Sequence, residues 1–205
     1  MFKIKCLKFQ NKGVTLVEIM VVVFIIAIFS AILISNFPKI LRQFALSRSV
    51  YKLAQDLRKT EDLGLSGVRV DSEQGAVDAS GYGIYINLGD DNGKYIIYAD
   101  INNSQTFDNS MSAENCEDYD PVEDDGDCIV EAIHIGDDNP DLIIKELRNI
   151  TGDSTSINFE PPNPTTKIEG LCTDCTEVGI VIGLNSDSSM SRTVLVNTAG
   201  LIQVK

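Results

Sequence analysis

The sequence has 205 residues, with 17 basic and 30 acidic side chains and a net charge of −13. A chain of this length that includes a long apolar run supports one globular domain of modest size. The acidity makes nucleic acid a poor partner, because phosphate backbones are bound through lysine and arginine; it favours solubility or the binding of cations.

An apolar run from Val14 to Phe37 is long enough to cross a bilayer, since about 20 apolar residues match the hydrocarbon thickness. A secretory signal is cut after its apolar segment, whereas here the small residue Gly13 precedes the segment. The sequence therefore predicts that residues 14–37 are kept, and a cut after Gly13 would remove residues 1–13 as a leader. Loss of the four leader lysines takes the net charge from −13 to −17.

Glu18 is the one charged residue inside this run. A carboxylate within a membrane helix is costly unless it is paired, which marks it as a functional residue. Cleavage after Gly13 exposes an α-amino group on Val14, and this amine in a neighbouring subunit is a partner of the right sign. Such a pair would set the register of packing, as single polar residues do in coiled coils. The alternative is an ordinary anchor whose carboxylate reaches the headgroups.

Lys12 and Gly13 followed by VTLVEIMVVVFIIAIFSAIL resemble the class III signal of type IV pilins and type II secretion pseudopilins. The resemblance implies that a prepilin peptidase cuts after Gly13, that Val14 becomes N-methylated, and that Glu18 directs assembly with other pilin subunits on a membrane platform. It also implies a cytoplasmic leader, a single span in the inner membrane and an extracytoplasmic head. Members of the family usually begin with phenylalanine, so Val14 is a departure.

After Pro38, apolar residues recur with the spacing of one helix face. They are Leu46, Val50, Leu53 and Leu57. This pattern predicts that the helix continues over residues 38–64 as an amphipathic segment. Gly64 and Gly67 are expected to end it after about Leu63.

Residues 65–205 are predicted to form a head of strands separated by turns. The predicted strands are 82–88, 94–99, 129–135, 142–147, 156–159, 178–184, 193–197 and 201–204. The loop at 89–93 predicts a hairpin between the first two, and the turn at 198–200 joins the last two. The fold class is therefore α+β, with a long amino-terminal helix packed on a mainly antiparallel sheet.

The head also carries a resemblance of its own. SGYGIYINLG, KYIIYADINN and RTVLVNTAGLIQV, together with QDLRKTEDLGLS at the end of the helix, resemble the GspH/FimT group of minor pseudopilins and minor pilins. The resemblance implies an initiating or tip role in a pilus or pseudopilus. An acidic loop at about 111–127 departs from that group.

Four cysteines remain once Cys6 is assigned to the leader, an even number that suits an oxidising compartment. Four cysteines allow three pairings, and the favoured pairing is sequence-local. It joins Cys116 to Cys128 and Cys172 to Cys175. The spacing of the second pair is also that of half a zinc site or a redox dithiol, although further ligands or a βαβ context would be needed.

Clusters of oxygen-bearing side chains in the head are typical of calcium ligands. The candidates are Asp100, Asn102, Asp120, Asp124 and Asp127. The first cluster does not complete an EF-hand loop, because Gln105 and Met111 stand where glycine and glutamate are required. The alternative is a solvated acidic loop.

The favoured function is a structural subunit of a type IV pilus or type II secretion pseudopilus, and not an enzyme. His134 is the one histidine, it lies in a predicted strand, and no nucleophile motif accompanies it. The alternative function is a binding module, either a DNA-uptake or an adhesive minor pilin. The acidic head argues against DNA as the partner.

Overall fold

The computed structural model describes residues 13–108, 115–120, 123–124, 126–137, 139–161 and 166–205. The chain forms two units, Met1–Leu41 and Arg42–Lys205. A single helix, α1, spans Leu16–Ser66, and Pro38 lies inside it. The predicted leader, apart from Gly13, and residues 111–114, 121–122 and 125 of the predicted acidic loop lie outside the described residues.

Within the second unit, α1 is amphipathic as predicted. Leu46, Val50, Leu53 and Leu57 are all buried on one side of it. The helix ends later than expected, because Gly67 has a φ of +59°, a conformation that glycine adopts without strain and that commonly terminates a helix. Gly64 does not end the helix: it is buried within it, and a β-carbon there would collide with the carbonyl oxygen of Phe159.

Eleven strands are present in the described part of the head, and all of their pairings are antiparallel. They are β1 Val70–Ser72, β2 Gly75–Val77, β3 Gly81–Asn87, β4 Lys94–Asp100, β5 Cys128–His134, β6 Leu142–Arg148, β7 Ser154–Phe159, β8 Thr166–Ile168, β9 Glu177–Leu184, β10 Ser191–Asn197 and β11 Ile202–Val204. Their sheets have the orders β1-β2, β11-β10-β9-β6 and β5-β4-β3-β7-β8. The predicted α+β class is confirmed.

The predicted strands all correspond to observed ones, with boundaries that differ by at most two residues. The predicted hairpin is β3-β4, and the turn before β11 has Gly200 at a φ of +82°. Strands β1, β2 and β8 were not predicted. Each has three residues, too few to establish an alternating pattern, and the equally short β11 was predicted with the help of the turn at 198–200.

The main core lies between α1 and the two larger sheets. Side chains of α1 pack in one cluster with Ile84, Ile97 and Ile157 of the five-stranded sheet and with Ile180 and Val194 of the four-stranded sheet. Burying such aliphatic side chains contributes about 1.5–3 kcal/mol each, which makes this cluster the main stabilising contact of the head.

The other face of the five-stranded sheet is covered by residues 101–108. The ring of Phe107 lies 4.8 Å from the ring of Tyr85 and 5.2 Å from that of Tyr98, measured between centroids. Tyr98 fits because Gly83 has no side chain; a β-carbon there would collide with the tyrosine ring. Strands β3 and β4 are therefore buried on both faces.

A polar contact also ties α1 to β4. The hydroxyl of the buried Tyr95 donates a hydrogen bond of 2.5 Å to Oδ2 of Asp56. Burial raises the pKa of Tyr95 above its ordinary value, and the hydrogen bond to Asp56 adds to the shift. The phenol therefore stays protonated and acts as a donor.

Candidate functional site

The candidate assembly segment is the start of α1, from Gly13 to Glu18. The backbone N–H of Glu18 donates to Oγ1 of Thr15 at 3.3 Å, and the N–H of Ile19 donates to the Thr15 carbonyl at 3.3 Å. Thr15 is thus the N-cap of the helix, and Glu18 follows at the third helical position. This is the spacing of a capping box, in which threonine and glutamate help to satisfy the free N–H groups of the first turn.

Glu18 is exposed and lies in the first turn of the helix. The unsatisfied N–H groups at a helix start act as a partial positive charge, which favours a carboxylate there. This role of Thr15 was not predicted from the sequence, although the Thr-x-x-Glu pattern indicates it. The helix start compensates part of the charge of Glu18.

The backbone before the helix is open. Val14 is 65% exposed, and a β-carbon built on Gly13 meets nothing within 4 Å. An alanine therefore fits at Gly13 as far as the chain's own fold is concerned. A substitution at Gly13 can therefore test recognition by another protein without disturbing the fold of this chain.

The large apolar side chains described in the first unit are exposed and are not buried by one another. Its large apolar residues from Val14 onward are between 44% and 76% exposed. Among the described residues, α1 is the one helix that is long and apolar enough to cross a membrane. Such a surface requires lipid or other apolar helices around it.

Two disulfides join the cysteines of the head in the sequence-local way that was favoured. Cys116 and Cys128 have Cα atoms 4.9 Å apart, and Cys172 and Cys175 have theirs 5.2 Å apart. Cys128 is fully buried at the start of β5. The Cys172–Cys175 pair is therefore a disulfide here and not half a zinc site.

Two of the calcium candidates, Asp100 and Asp127, are buried and accept hydrogen bonds from the loop that covers the sheet. The carboxylate of Asp100 accepts from the N–H groups of Ser104 at 3.1 Å and Gln105 at 2.9 Å, and from Nδ2 of Asn158 at 2.9 Å. Both carboxylates thus order residues 101–108.

The carboxylate of Asp127 accepts from the N–H groups of Ile101 at 3.3 Å and Asp108 at 2.9 Å. Burial and, to a smaller extent, the nearby charges of Asp100 and Asp108 raise the pKa of Asp127 to about 7, against the lowering effect of these two hydrogen bonds. The carboxyl group of Asp127 therefore titrates close to neutral pH.

The remaining calcium candidates also donate or accept local hydrogen bonds. Oδ1 of Asn102 accepts from the N–H of Ser104 at 2.9 Å, and Oδ2 of Asp124 accepts from the N–H of Asp120 at 2.8 Å. Across the residues that the structure describes, no group of three or more His, Cys, Asp and Glu side chains is placed to hold a metal ion. His134 ends β5 and is exposed.

Comparison with known proteins found a match at the amino terminus. Residues 8–34 match the family described as the prokaryotic N-terminal methylation motif. No curated protein and no solved structure matches the chain significantly. The matched residues end before the head begins, so they do not reach the segments on which the GspH/FimT resemblance rests. The methylation motif at residues 8–34, at the start of an exposed apolar helix, supports a type IV pilin-like protein.

Proposed function

We propose that this protein is a structural subunit of a type IV pilus or a type II secretion pseudopilus, and that it assembles through its amino-terminal helix. The proposed organisation is a leader at 1–13, a membrane and filament-core segment at 14–37, an amphipathic continuation at 38–64 and a head at 65–205. On the resemblance of the head to the GspH/FimT group, the subunit is a minor one.

The observation that carries the proposal is Glu18, a carboxylate in the first turn of a helix whose apolar side chains are exposed. Packing against similar helices covers the apolar surface. After a prepilin peptidase cuts between Gly13 and Val14, the methylated amine of Val14 in a neighbouring subunit neutralises Glu18. The helix start compensates the carboxylate in part, and the amine supplies the remaining charge.

The proposed location is the inner membrane, with a single span and with the head on the extracytoplasmic side, before incorporation into the filament. Two disulfides in the head support this side of the membrane, because disulfides persist in oxidising compartments.

The test replaces Glu18 by glutamine in the full chain, in cells that contain the rest of the assembly machinery. In this variant the amine of Val14 has lost its carboxylate partner, and an unpaired charge in a membrane helix costs about 2.5–3.5 kcal/mol at mid-depth and less near the ends. We expect incorporation into sheared filaments to fall about tenfold or more, since 1.4 kcal/mol corresponds to tenfold. Cleavage before Val14 should continue.

Thr15→Ala is the matched control, because it removes the side-chain cap but keeps the carboxylate of Glu18. We expect this variant to assemble at close to the normal level. Equal loss of assembly in the two variants would mean that Glu18 acts through helix capping. Normal assembly of Glu18→Gln would remove the proposed pairing altogether.

A further inference from the structure

The exposed side of α1 in the second unit carries cations and aromatic rings in a single stripe. This basic stripe consists of Phe44, Arg48, Tyr51, Lys52, Arg58 and Lys59. Their spacing of three, four and seven residues places them together, opposite the buried side of the helix. The Phe44 and Tyr51 side chains are 68% and 53% exposed. The core that covers the buried side of α1 therefore leaves this side open.

The charges of the chain are strongly segregated. Residues 42–59 carry five basic side chains and one acidic side chain, whereas residues 60–205 carry seven basic and 28 acidic side chains. Four exposed acidic residues form a surface that we call the acidic patch. They are Asp71, Glu73, Glu117 and Asp118. The N–H of Glu73 donates to the carbonyl of Glu117 at 2.8 Å, which holds the β1-β2 hairpin beside residues 117–118.

We infer that the basic stripe of one copy docks on the acidic patch of a second copy of this chain. The inference rests on the proposed function and requires that two copies lie side by side in the assembly. It names the contact between their Arg42–Lys205 units that would accompany packing of the apolar helices. Two different surfaces of the same chain are complementary, so the contact is heterologous. Contacts of this type extend from copy to copy and build open helical assemblies when the rotation does not close a ring.

A contact inside the chain illustrates what the stripe binds. Nζ of Lys59 lies 3.4 Å from Oε2 of Glu131, and both side chains are about half exposed. An ion pair at this exposure contributes little to folding, so a denser group of carboxylates on another copy competes for the same lysine. Phe44 and Tyr51 add apolar area next to the cations, as aromatic residues commonly do in protein interfaces.

Net charge disfavours the polyanions that a basic stripe could also attract. A chain with a net charge of −13, or −17 without its leader lysines, repels nucleic acid and anionic lipid at long range. A second copy has the same net charge, so docking between copies depends on the short-range complementarity of the basic stripe and the acidic patch, within about a Debye length.

The test uses the full mature chain, purified in unlabelled and ¹⁵N-labelled form and mixed in vesicles of uncharged phosphatidylcholine. A carbodiimide joins amines directly to carboxylates that they touch, and peptides of mixed isotope composition identify links between copies. We expect mixed links from Lys52 or Lys59 to the acidic patch. The link between Lys59 and Glu131 within one chain is the positive control, and the exposed Lys167 of β8 controls for random collisions.

Charge reversal tests the pairing independently of any single link. Lys52→Glu with Lys59→Glu removes the amines of the stripe and places like charges opposite the acidic patch, so the dimer yield should fall about tenfold. Adding Glu73→Lys and Glu117→Lys to the same chain should restore the dimer yield. Near-ultraviolet circular dichroism shows whether each variant is folded, so a loss of dimer yield through misfolding can be recognised. The links in the unaltered chain test the inference without any variant.

Three results would overturn the inference. The first is an absence of mixed links while the Lys59 to Glu131 link forms, and the second is an equal yield of mixed links at Lys167. The third is protection of the stripe lysines only by phosphatidylglycerol vesicles or by DNA, which would make the stripe a polyanion site. A preparation that does not begin at Val14 would count against the proposed function instead, so the two failures are distinguishable.

Discussion

Asp127 allows a test of how the buried carboxyl groups stabilise the head. Its side chain is fully buried, and burial moves its pKa from an ordinary value of 3.8 to about 7. Between pH 4 and 7 the folded chain therefore holds a proton that the unfolded chain has released. The contribution of this proton to the free energy of unfolding is fully present below pH 4 and is lost as the pH rises through 7.

The pKa change corresponds to at most about 4 kcal/mol, at 1.36 kcal/mol for each pH unit. Solvent screening and relaxation of the loop reduce this figure, and we expect about 1–2 kcal/mol. Asp127→Asn removes the titration, so its stability relative to the unaltered chain should rise by that amount between pH 4.5 and 8. The exposed Asp90→Asn is the control and should leave the pH dependence unchanged.

Urea unfolding of the full chain in detergent, followed by near-ultraviolet circular dichroism, measures this difference. The chain has no tryptophan, and its six tyrosines all lie in the Arg42–Lys205 unit, so the signal reports on the head. Parallel pH profiles for the unaltered chain and Asp127→Asn would refute the reasoning.

Three further changes test the packing of the head in the same assay. Tyr95→Phe removes the hydrogen bond to Asp56 and should cost about 1.5–3 kcal/mol; a cost below 0.5 kcal/mol would show that the contact contributes little. Gly64→Ala places a β-carbon against the carbonyl of Phe159 and should cost about 1–3 kcal/mol despite the better helix propensity of alanine, so a stabilised variant would contradict the close approach. Alanine at both ends of the 116–128 disulfide should cost about 2–4 kcal/mol, and unchanged urea unfolding would argue against a structural role.

Periodicity predicted the elements whose burial pattern is long enough to repeat. The buried side of α1 and the strands of seven or eight residues were predicted in this way. Strand β8 could not be, because its three residues become a strand through pairing with β7, where Ile168 lies opposite Ile157. Such a strand depends on a tertiary contact and not on a local pattern.

Glycine and aspartate were harder to interpret, since each serves several purposes. Gly64 suggested a helix end, but its neighbour in space, Phe159, requires a residue without a side chain inside the helix. Asp100 and Asp127 suggested cation ligands, although both carboxylates accept backbone N–H groups of one loop. The two aspartates are 27 positions apart, and sequence alone does not bring them together. At the candidate site, the roles of Gly13 and Glu18 remain predictions.

The most direct measurement is the amino-terminal residue of the mature polypeptide, determined by mass spectrometry of the protein isolated from membranes. The account predicts a chain that begins at Val14 with one added methyl group on its α-amine. Gly13→Ala should leave the precursor uncut, and because alanine fits the chain at that position, the effect would lie in peptidase recognition. A mature chain that begins at any other residue would remove the proposed partner of Glu18 and contradict the account.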